Sequence, residues 1–426
     1  MTLEESIRLH AQDTPDKIAV VCGADTITYS VLWDRILQRT EELKAEGLEP
    51  NRPHVYRATQ NIDFIVTYCA VHYLGAIAVP LEHQALEEKF KAVSDEVNSC
   101  EFTEDIVDIL YTTGTTGKSK GVMLSETALV SCADNFVHDL QFTPELCFII
   151  SGPLNHIASL FKMHPALTVG GTVCVLDGLK DMNAFFDVFD LPFAKFATFL
   201  VPASIRLIMQ FSYERLCSLA DKIDFIETGA APITQHDMEQ LSKALPKSRL
   251  YNTLGGTEIG AVCTYNFNDG RYMEGCIGRP MKNSTVEVTP EGNIIVSGLT
   301  IMSGYVADEE NTRKVLKDGK ILMVGNERSN YLYSVGGRIK FGETAEEAIV
   351  REVYEETGVK MEIDRLGFVH ENYFYGDDKR HHSAWDSLCF DYGKNEVVHF
   401  LLSNCKYWLE EFKFDGFRFD GVTSMI

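Results

Sequence analysis

The stretch Ile109-Leu-Tyr-Thr-Thr-Gly-Thr-Thr-Gly-Lys-Ser-Lys-Gly-Val-Met123 concentrates side chains and backbone suited to holding an anion. Gly114, Gly117 and Gly121 let backbone N–H groups approach a phosphate closely. Thr112, Thr113, Thr115, Thr116 and Ser119 add hydroxyl donors, and Lys118 and Lys120 add positive charge. A Walker A loop is the nearest rival, but it requires a glycine where Thr112 stands. A polar turn is the other alternative. A second group is acidic. Glu352, Glu355 and Glu356 follow an i, i+3, i+4 spacing that puts three carboxylates on one helix face. Like charges so placed repel, and a bound hard cation would relieve the repulsion; a solvated acidic helix is the alternative.

These residues need rigid elements around them. Helical and strand patterns alternate from the start: a helix over 2–12, strands at Ile18–Cys22 and Ile27–Tyr29, and an amphipathic helix over Ser30–Glu46. Apolar strands follow at Phe148–Ser151, Thr172–Leu176, Ala197–Pro202 and Phe225–Thr228, and short strands with turns at about 287–304. Short apolar strands between helices predict an α/β fold with buried, stacked, mostly parallel sheets and a small β subdomain. The apolar run Phe64–Leu81 reads as a buried helix followed by a buried strand, not a membrane span.

Composition excludes several classes. The 426 residues carry 62 acidic and 39 basic side chains, a net charge of −23, which argues against a general nucleic-acid binder. With 45% hydrophobic and 24% charged residues, a largely disordered chain is excluded. Eleven cysteines without a CxxC pair suit buried thiols in a reducing compartment. The N-terminus MTLEESIRLH shows no secretory signal pattern, so a cytoplasmic location is expected.

Seven segments, in order along residues 1–319, resemble the AMP-forming adenylating superfamily of acyl-CoA synthetases, luciferases and peptide-synthetase adenylation domains. YTTGTTGKSKG is close to that family's phosphate loop. The others are Gly75-Ala-Ile-Ala-Val-Pro-Leu81, Pro153-Leu-Asn-His156, Thr228-Gly-Ala-Ala-Pro232, Tyr251-Asn-Thr-Leu-Gly-Gly-Thr-Glu258, Gly275-Cys-Ile-Gly-Arg-Pro280 and Met302-Ser-Gly-Tyr305. The resemblance implies the large lobe of an adenylate-forming ligase. It would convert a carboxylic acid and ATP to an acyl-adenylate and pyrophosphate, then transfer the acyl group to coenzyme A, as in fatty acid metabolism. Thr112, Thr113, Gly114, Thr115, Thr116, Gly117, Ser119 and Lys120 would hold the pyrophosphate end of ATP. Thr257 would contact the α-phosphate, and Glu258 would bind Mg2+. Gly229, Ala230, Ala231, Pro232 and Tyr251 would line the adenine, and His156 would border the acyl carboxylate. Thr116, Lys120, His156, Thr257 and Glu258 are therefore the expected catalytic set.

Beyond Val315–Ile321 the resemblance stops. The family's ribose-binding Asp, hinge and cap lysine have only weak stand-ins, Asn326 and Arg338, so impaired catalysis is expected. Gly337, Glu343, Arg351-Glu352-Val353, Glu355-Glu356 and Gly358-Val359 instead resemble the Nudix box, whose carboxylates gather Mg2+ to hydrolyse nucleoside diphosphates. Trp385–Gly393 and Tyr407–Ser424 resemble glycogen branching enzyme, of the α-amylase superfamily. There Asp420 would be the nucleophile and Arg418 its partner, without the second carboxylate that retaining chemistry needs. The expected organisation is an adenylating lobe over 1–319, a partial Nudix-like segment over 320–380 and a branching-enzyme-like helix and strand over 381–426. Such a chain reads as a splice of three unrelated proteins. The expected partners are a small carboxylic acid and a nucleotide, with no nucleic acid, no membrane span and no readable protein partner. A Nudix pyrophosphohydrolase and a non-catalytic nucleotide-binding chimera are the competing functions.

Overall fold

A computed structural model describes residues 1–112, 119–179, 181–270, 276–289 and 294–323, together with the backbone of 381–382 and 387–388. The chain divides into two units, Met1–Ser334 and Val335–Ile426. In the second, the described backbone pairs His381–His382 with Ser387–Leu388 in an antiparallel bridge.

The first unit begins α1 (Leu3–Asp13), β1 (Ile18–Cys22), β2 (Asp25–Thr28), α2 (Tyr29–Ala45), β3 (Pro53–Ala58), α3 (Ile62–Tyr73), β4 (Ile77–Glu82) and α4 (Glu87–Asn98). It continues β5 (Ile106–Thr112), β6 (Lys120–Ser125), α5 (Glu126–Asp139), β7 (Leu146–Ile150), α6 (Ile157–Thr168), β8 (Thr172–Val175), α7 (Met182–Asp187), β9 (Lys195–Phe199) and α8 (Pro202–Phe211). Next come α9 (Tyr213–Ser218), β10 (Ile223–Gly229), α10 (Gln235–Ala244), β11 (Arg249–Gly256), β12 (Gly260–Asn266), β13 (Arg279–Pro280) and β14 (Ser284–Val288). The described part closes with β15 (Ile294–Gly298), β16 (Gly304–Tyr305), α11 (Glu309–Val315), β17 (Leu316–Lys317) and β18 (Lys320–Met323).

Three sheets result. The largest has the order β13-β12-β11-β10-β9-β7-β8-β1-β2, the second β16-β6-β5-β4-β3, and the third β14-β15-β18-β17. The run β1, β8, β7, β9, β10, β11 is parallel throughout, as is β3, β4, β5. The third sheet is antiparallel, matching the short-strand pattern expected near its residues.

The physical origin of the large sheet is plain in β7, whose five residues Leu-Cys-Phe-Ile-Ile are all buried. A strand covered on both faces has no polar side, so it reads as a continuous apolar run. Alternate residues still divide between two cores. Val20, Phe148, Ile150, Ala197 and Phe225 join one cluster, whereas Cys147, Ile149, Phe196 and Ile226 join the other. The apolar run Phe64–Leu81 falls on α3 and β4 and is largely buried, as expected. Among the described residues no helix is long and apolar enough to cross a membrane. Nine cysteines lie among them, all free.

Helix starts follow local capping chemistry. Thr2 and Glu5 form a reciprocal capping box at α1, and Asn61, Ser125 and Asp181 cap α3, α5 and α7. Thr28 caps α2 by accepting from the Val31 N–H at 3.4 Å. For that reason Tyr29 opens the helix and does not end the preceding strand, as its β-forming side chain suggests. One buried amide ties the layers together. Asn135 of α5 donates to the Ala261 carbonyl (2.9 Å) and the Ser284 hydroxyl (3.1 Å), and accepts from the Asn283 N–H (2.7 Å).

Candidate functional site

Parallel sheets leave a crevice outside the carboxyl ends of their strands, where loops and helix starts can meet a ligand. Hydrogen bonds at Gln60 and at Tyr305 show that the carboxyl ends of the two larger sheets face each other. Gln60, just after β3, donates to the carbonyls of Gly152 (2.9 Å) and Leu176 (3.0 Å) and accepts from the Leu154 N–H (2.9 Å), beyond β7 and β8. His156, beyond β7, lies in the electrostatic field of Glu82 at the end of β4 and of Lys89 on α4. Tyr305, paired to β6, donates to Glu258 in the turn after β11. The sequence-selected residues fall mainly around this facing edge.

The glycine-rich loop joins β5 to β6. Its described flanks close on each other, with the Ser119 hydroxyl donating to the Thr112 carbonyl and Thr112 pairing with Lys120 across the ladder. Thr113, Gly114, Thr115, Thr116 and Gly117 lie outside the described residues. Lys120 is half-buried, its Nζ 4.9 Å from the centroid of the Tyr305 ring.

Thr257 and Glu258 form the turn between β11 and β12. Glu258 is held at two points: its Oε1 accepts from the Tyr305 hydroxyl at 3.0 Å, and its carbonyl accepts from the Met302 N–H at 2.8 Å. Burial and the negative Glu258 push the Tyr305 hydroxyl well above its ordinary pKa, so it stays protonated and donates. A carboxylate is a hard oxygen donor suited to Mg2+. Among the described residues no three metal-ligating side chains gather, so a cation at Glu258 would complete its shell from phosphate oxygens and water.

Gly229 ends β10, in register with Thr253 of β11. A Cβ there would stand 2.6 Å from the Thr253 carbonyl oxygen, so only glycine lets the two strands approach this closely. Ala230 takes a positive φ of 61° as the chain turns, leaving Ala230 and Ala231 exposed and Pro232 half-buried. Tyr251 stands apart from this edge. It is 5% exposed, its hydroxyl accepts from Arg249 at 3.2 Å, and its ring packs edge-on against Phe225. The strand runs on through Leu254 to Gly256, roughly 17 Å beyond Tyr251. Tyr251, expected to line the adenine, sits in the core near the start of β11, and the strand's length carries Leu254, Gly255 and Gly256 to the edge.

His156 precedes α6 and keeps an exposed side chain. Desolvation by the surrounding protein lowers its pKa, Glu82 opposes that and Lys89 adds to it. The imidazole is therefore neutral at neutral pH, able to donate one hydrogen bond and accept another.

The sequence did not announce two features. Tyr305 links Lys120 to Glu258 although it lies in neither of their segments. Lys162 of α6 and Glu227 of β10 form a buried ion pair, with Nζ 2.7 Å from each carboxylate oxygen and side chains 3% and 1% exposed. Lys162 also lies 3.5 Å from the Phe136 ring centroid and 5.2 Å from that of Phe199, the ring nearest Gly229. A carboxylate directly after the apolar Phe225 and Ile226 was the available signal for Glu227. The acidic triad Glu352, Glu355 and Glu356 lies outside the described residues, as do Asn326, Arg338, Arg418 and Asp420.

Comparison with known proteins bears on the whole chain. A 57-residue segment, 13% of the chain, is 60% identical to the 1,4-alpha-glucan-branching enzyme of Oryza sativa subsp. japonica and spans 7% of that protein. A D-alanine–D-alanyl carrier protein ligase of Listeria monocytogenes is 28% identical over 255 residues, 55% of this chain and 49% of the relative. The chain therefore spans less than half the length of either relative. In three dimensions, ATP-bound MatB of Rhodopseudomonas palustris superposes with a TM-score of 0.67 at 23% identity over 79% of each chain, which shows the adenylate-forming ligase fold. The NUDIX domain model matches residues 314–419, and the AMP-binding enzyme model matches residues 7–102 and 83–306. The latter two segments take in most of the sequence, and the chain belongs to the AMP-binding enzyme family.

Proposed function

We propose that residues 1–319 activate a small carboxylic acid with ATP. A carboxylate oxygen attacks the α-phosphorus, the bond to the bridging oxygen breaks, and pyrophosphate leaves as the acyl-adenylate forms. A thiol then attacks the acyl carbon and AMP departs, with coenzyme A as the acceptor we favour and a carrier-protein thiol as the other candidate. The observation that carries this reading is the meeting of Lys120 and Glu258 at Tyr305, which brings a cation and a carboxylate from two sheets to one crevice. Two anions must approach in the first step, so charge compensation and alignment dominate the barrier.

In this reading the loop Thr112–Lys120, with Thr113, Gly114, Thr115, Thr116, Gly117 and Ser119, grips the pyrophosphate end. Thr257 contacts the α-phosphate, and Gly229–Pro232 flank the adenine. Glu258 is the protein ligand for Mg2+, which when bound would spread the negative charge of the phosphates. His156 donates to the acyl carboxylate. Hydroxylamine trapping tests the first step. Acyl-hydroxamate should form only with ATP and a carboxylic acid and should fall at least tenfold in Glu258→Gln. No hydroxamate from any acid in a mixed library contradicts it.

The NUDIX match over 314–419 favours a second activity in the same chain. Glu352, Glu355 and Glu356 would then gather Mg2+ for hydrolysis of a nucleoside diphosphate linked to another group. Acid-independent hydrolysis that disappears in Glu356→Gln is the expected signature; its absence from the unaltered chain over a nucleoside diphosphate panel removes this reading.

A further inference from the structure

Lys120 and Glu258 carry opposite charges, both are half-buried, and both touch Tyr305. Yet among the described residues neither has an ionic partner, although both are drawn to one ring and opposite charges attract more strongly where water is partly excluded. We infer that Tyr305 is a positioning residue that keeps Lys120 and Glu258 from neutralising each other, so that each remains free for its own part of a metal–nucleotide ligand. The inference rests on the nucleotide reading of this crevice and deepens it.

Tyr305 is firmly seated for such a task. Gly304 and Tyr305 pair with Met123 and Val122 of β6, the strand that leaves the phosphate loop at Lys120. Ser303 N–H donates to the Met123 carbonyl (2.9 Å), Val306 N–H to the Gly121 carbonyl (2.8 Å), and Tyr305 N–H to the Thr312 hydroxyl (2.9 Å). Gly304 has φ 146°, and a Cβ on it would meet the Thr312 methyl at 2.9 Å, so the backbone next to Tyr305 admits glycine alone. The ring is 6% exposed. Its two polar features work in different directions. The π-face receives the Lys120 ammonium, while the hydroxyl at the ring's edge donates to Glu258 Oε1. The same segment holds the Glu258 backbone through Met302. Lys120 and one Glu258 oxygen are therefore satisfied without spending their charge on each other. The second oxygen, Oε2, accepts no hydrogen bond among the described residues.

Calorimetric ATP binding by the full chain, once with Mg2+ and once with EDTA, tests this. Tyr305→Phe loses only the hydroxyl, so binding with Mg2+ should weaken about tenfold while binding in EDTA stays near the wild-type value. Tyr305→Leu fills much of the space but removes both the ring face and the hydroxyl, allowing Lys120 and Glu258 to pair. Binding in EDTA should then also fall about tenfold, and adding Glu258→Gln to Tyr305→Leu should restore it by releasing Lys120. A merely structural tyrosine predicts no such rescue. Unchanged Mg2+ dependence in Tyr305→Phe, or a double variant no better than Tyr305→Leu, overturns the inference. Wild-type protein that binds no ATP in either condition overturns the nucleotide reading itself, and the inference with it.

Discussion

The Lys162–Glu227 pair puts two charges where water cannot reach them. Burial lowers the Lys162 pKa, while Glu227 opposes this through its charge and its hydrogen bond. Removing one member strands the other, which costs about 3–5 kcal/mol in a site this buried. Lys162→Met should destabilise the protein by that amount in urea unfolding, and Lys162→Met with Glu227→Leu should recover most of the loss. An unchanged midpoint in the single variant would contradict the pairing. A second buried cluster has a pH signature. His72 bonds to Asp108 through Nε2 at 2.8 Å and faces Glu4 at 3.4 Å, while the Tyr68 hydroxyl joins Asp108 (2.7 Å) to His164 (3.0 Å). Burial alone would lower the His72 pKa, but the Asp108 and Glu4 carboxylates outweigh it and push it up to about 10. The folded pKa lies above the ordinary 6.5, so the imidazolium stabilises fully below pH 6.5 and less as pH rises through about 10. The melting-temperature gap between wild type and His72→Gln should accordingly be widest at about pH 6 and shrink toward about pH 10. A constant gap would show that His72 is not the charged partner.

Elements decide which sequence words end up side by side. The strand–loop–strand around YTTGTTGKSKG was legible because its glycines, hydroxyls and lysines are contiguous, and the parallel sheet because β7 and its neighbours are continuous apolar runs. Tyr251 lies deeper than Glu258 for an equally physical reason. The segment Tyr251–Glu258 was matched as one word, but β11 stays extended to Gly256, so Tyr251 lies near its start and Glu258 in the turn beyond its end. The Tyr305–Glu258 bond joins residues 47 apart, and no local pattern encodes a meeting fixed by β16 pairing with β6. Gly229 tests the close approach of β10 and β11. Gly229→Ala should cost about 1–3 kcal/mol of stability by pushing a methyl against the Thr253 carbonyl. ATP affinity should fall with it, since the displaced turn carries Ala230–Pro232. Unaltered unfolding and unaltered ATP binding together would contradict the strand spacing described above.

At the scale of the molecule, the chain joins segments with different relatives: an AMP-binding region, a NUDIX region and a short stretch like branching enzymes. Their order was legible because each carries its own closely spaced motif. The net charge of −23 did not distinguish them, since charge on solvated surfaces reports solubility more than site chemistry. In the first region, Lys120, Thr257 and Glu258 are proposed to serve adenylation of a carboxylic acid. ATP–pyrophosphate exchange measured on the full chain with a mixed carboxylic-acid library tests it most directly, because it reads the first half-reaction without any thiol. Exchange should require an acid, fall at least tenfold in Glu258→Gln and persist in Glu356→Gln. Exchange absent with every acid, or undiminished in Glu258→Gln, would contradict it.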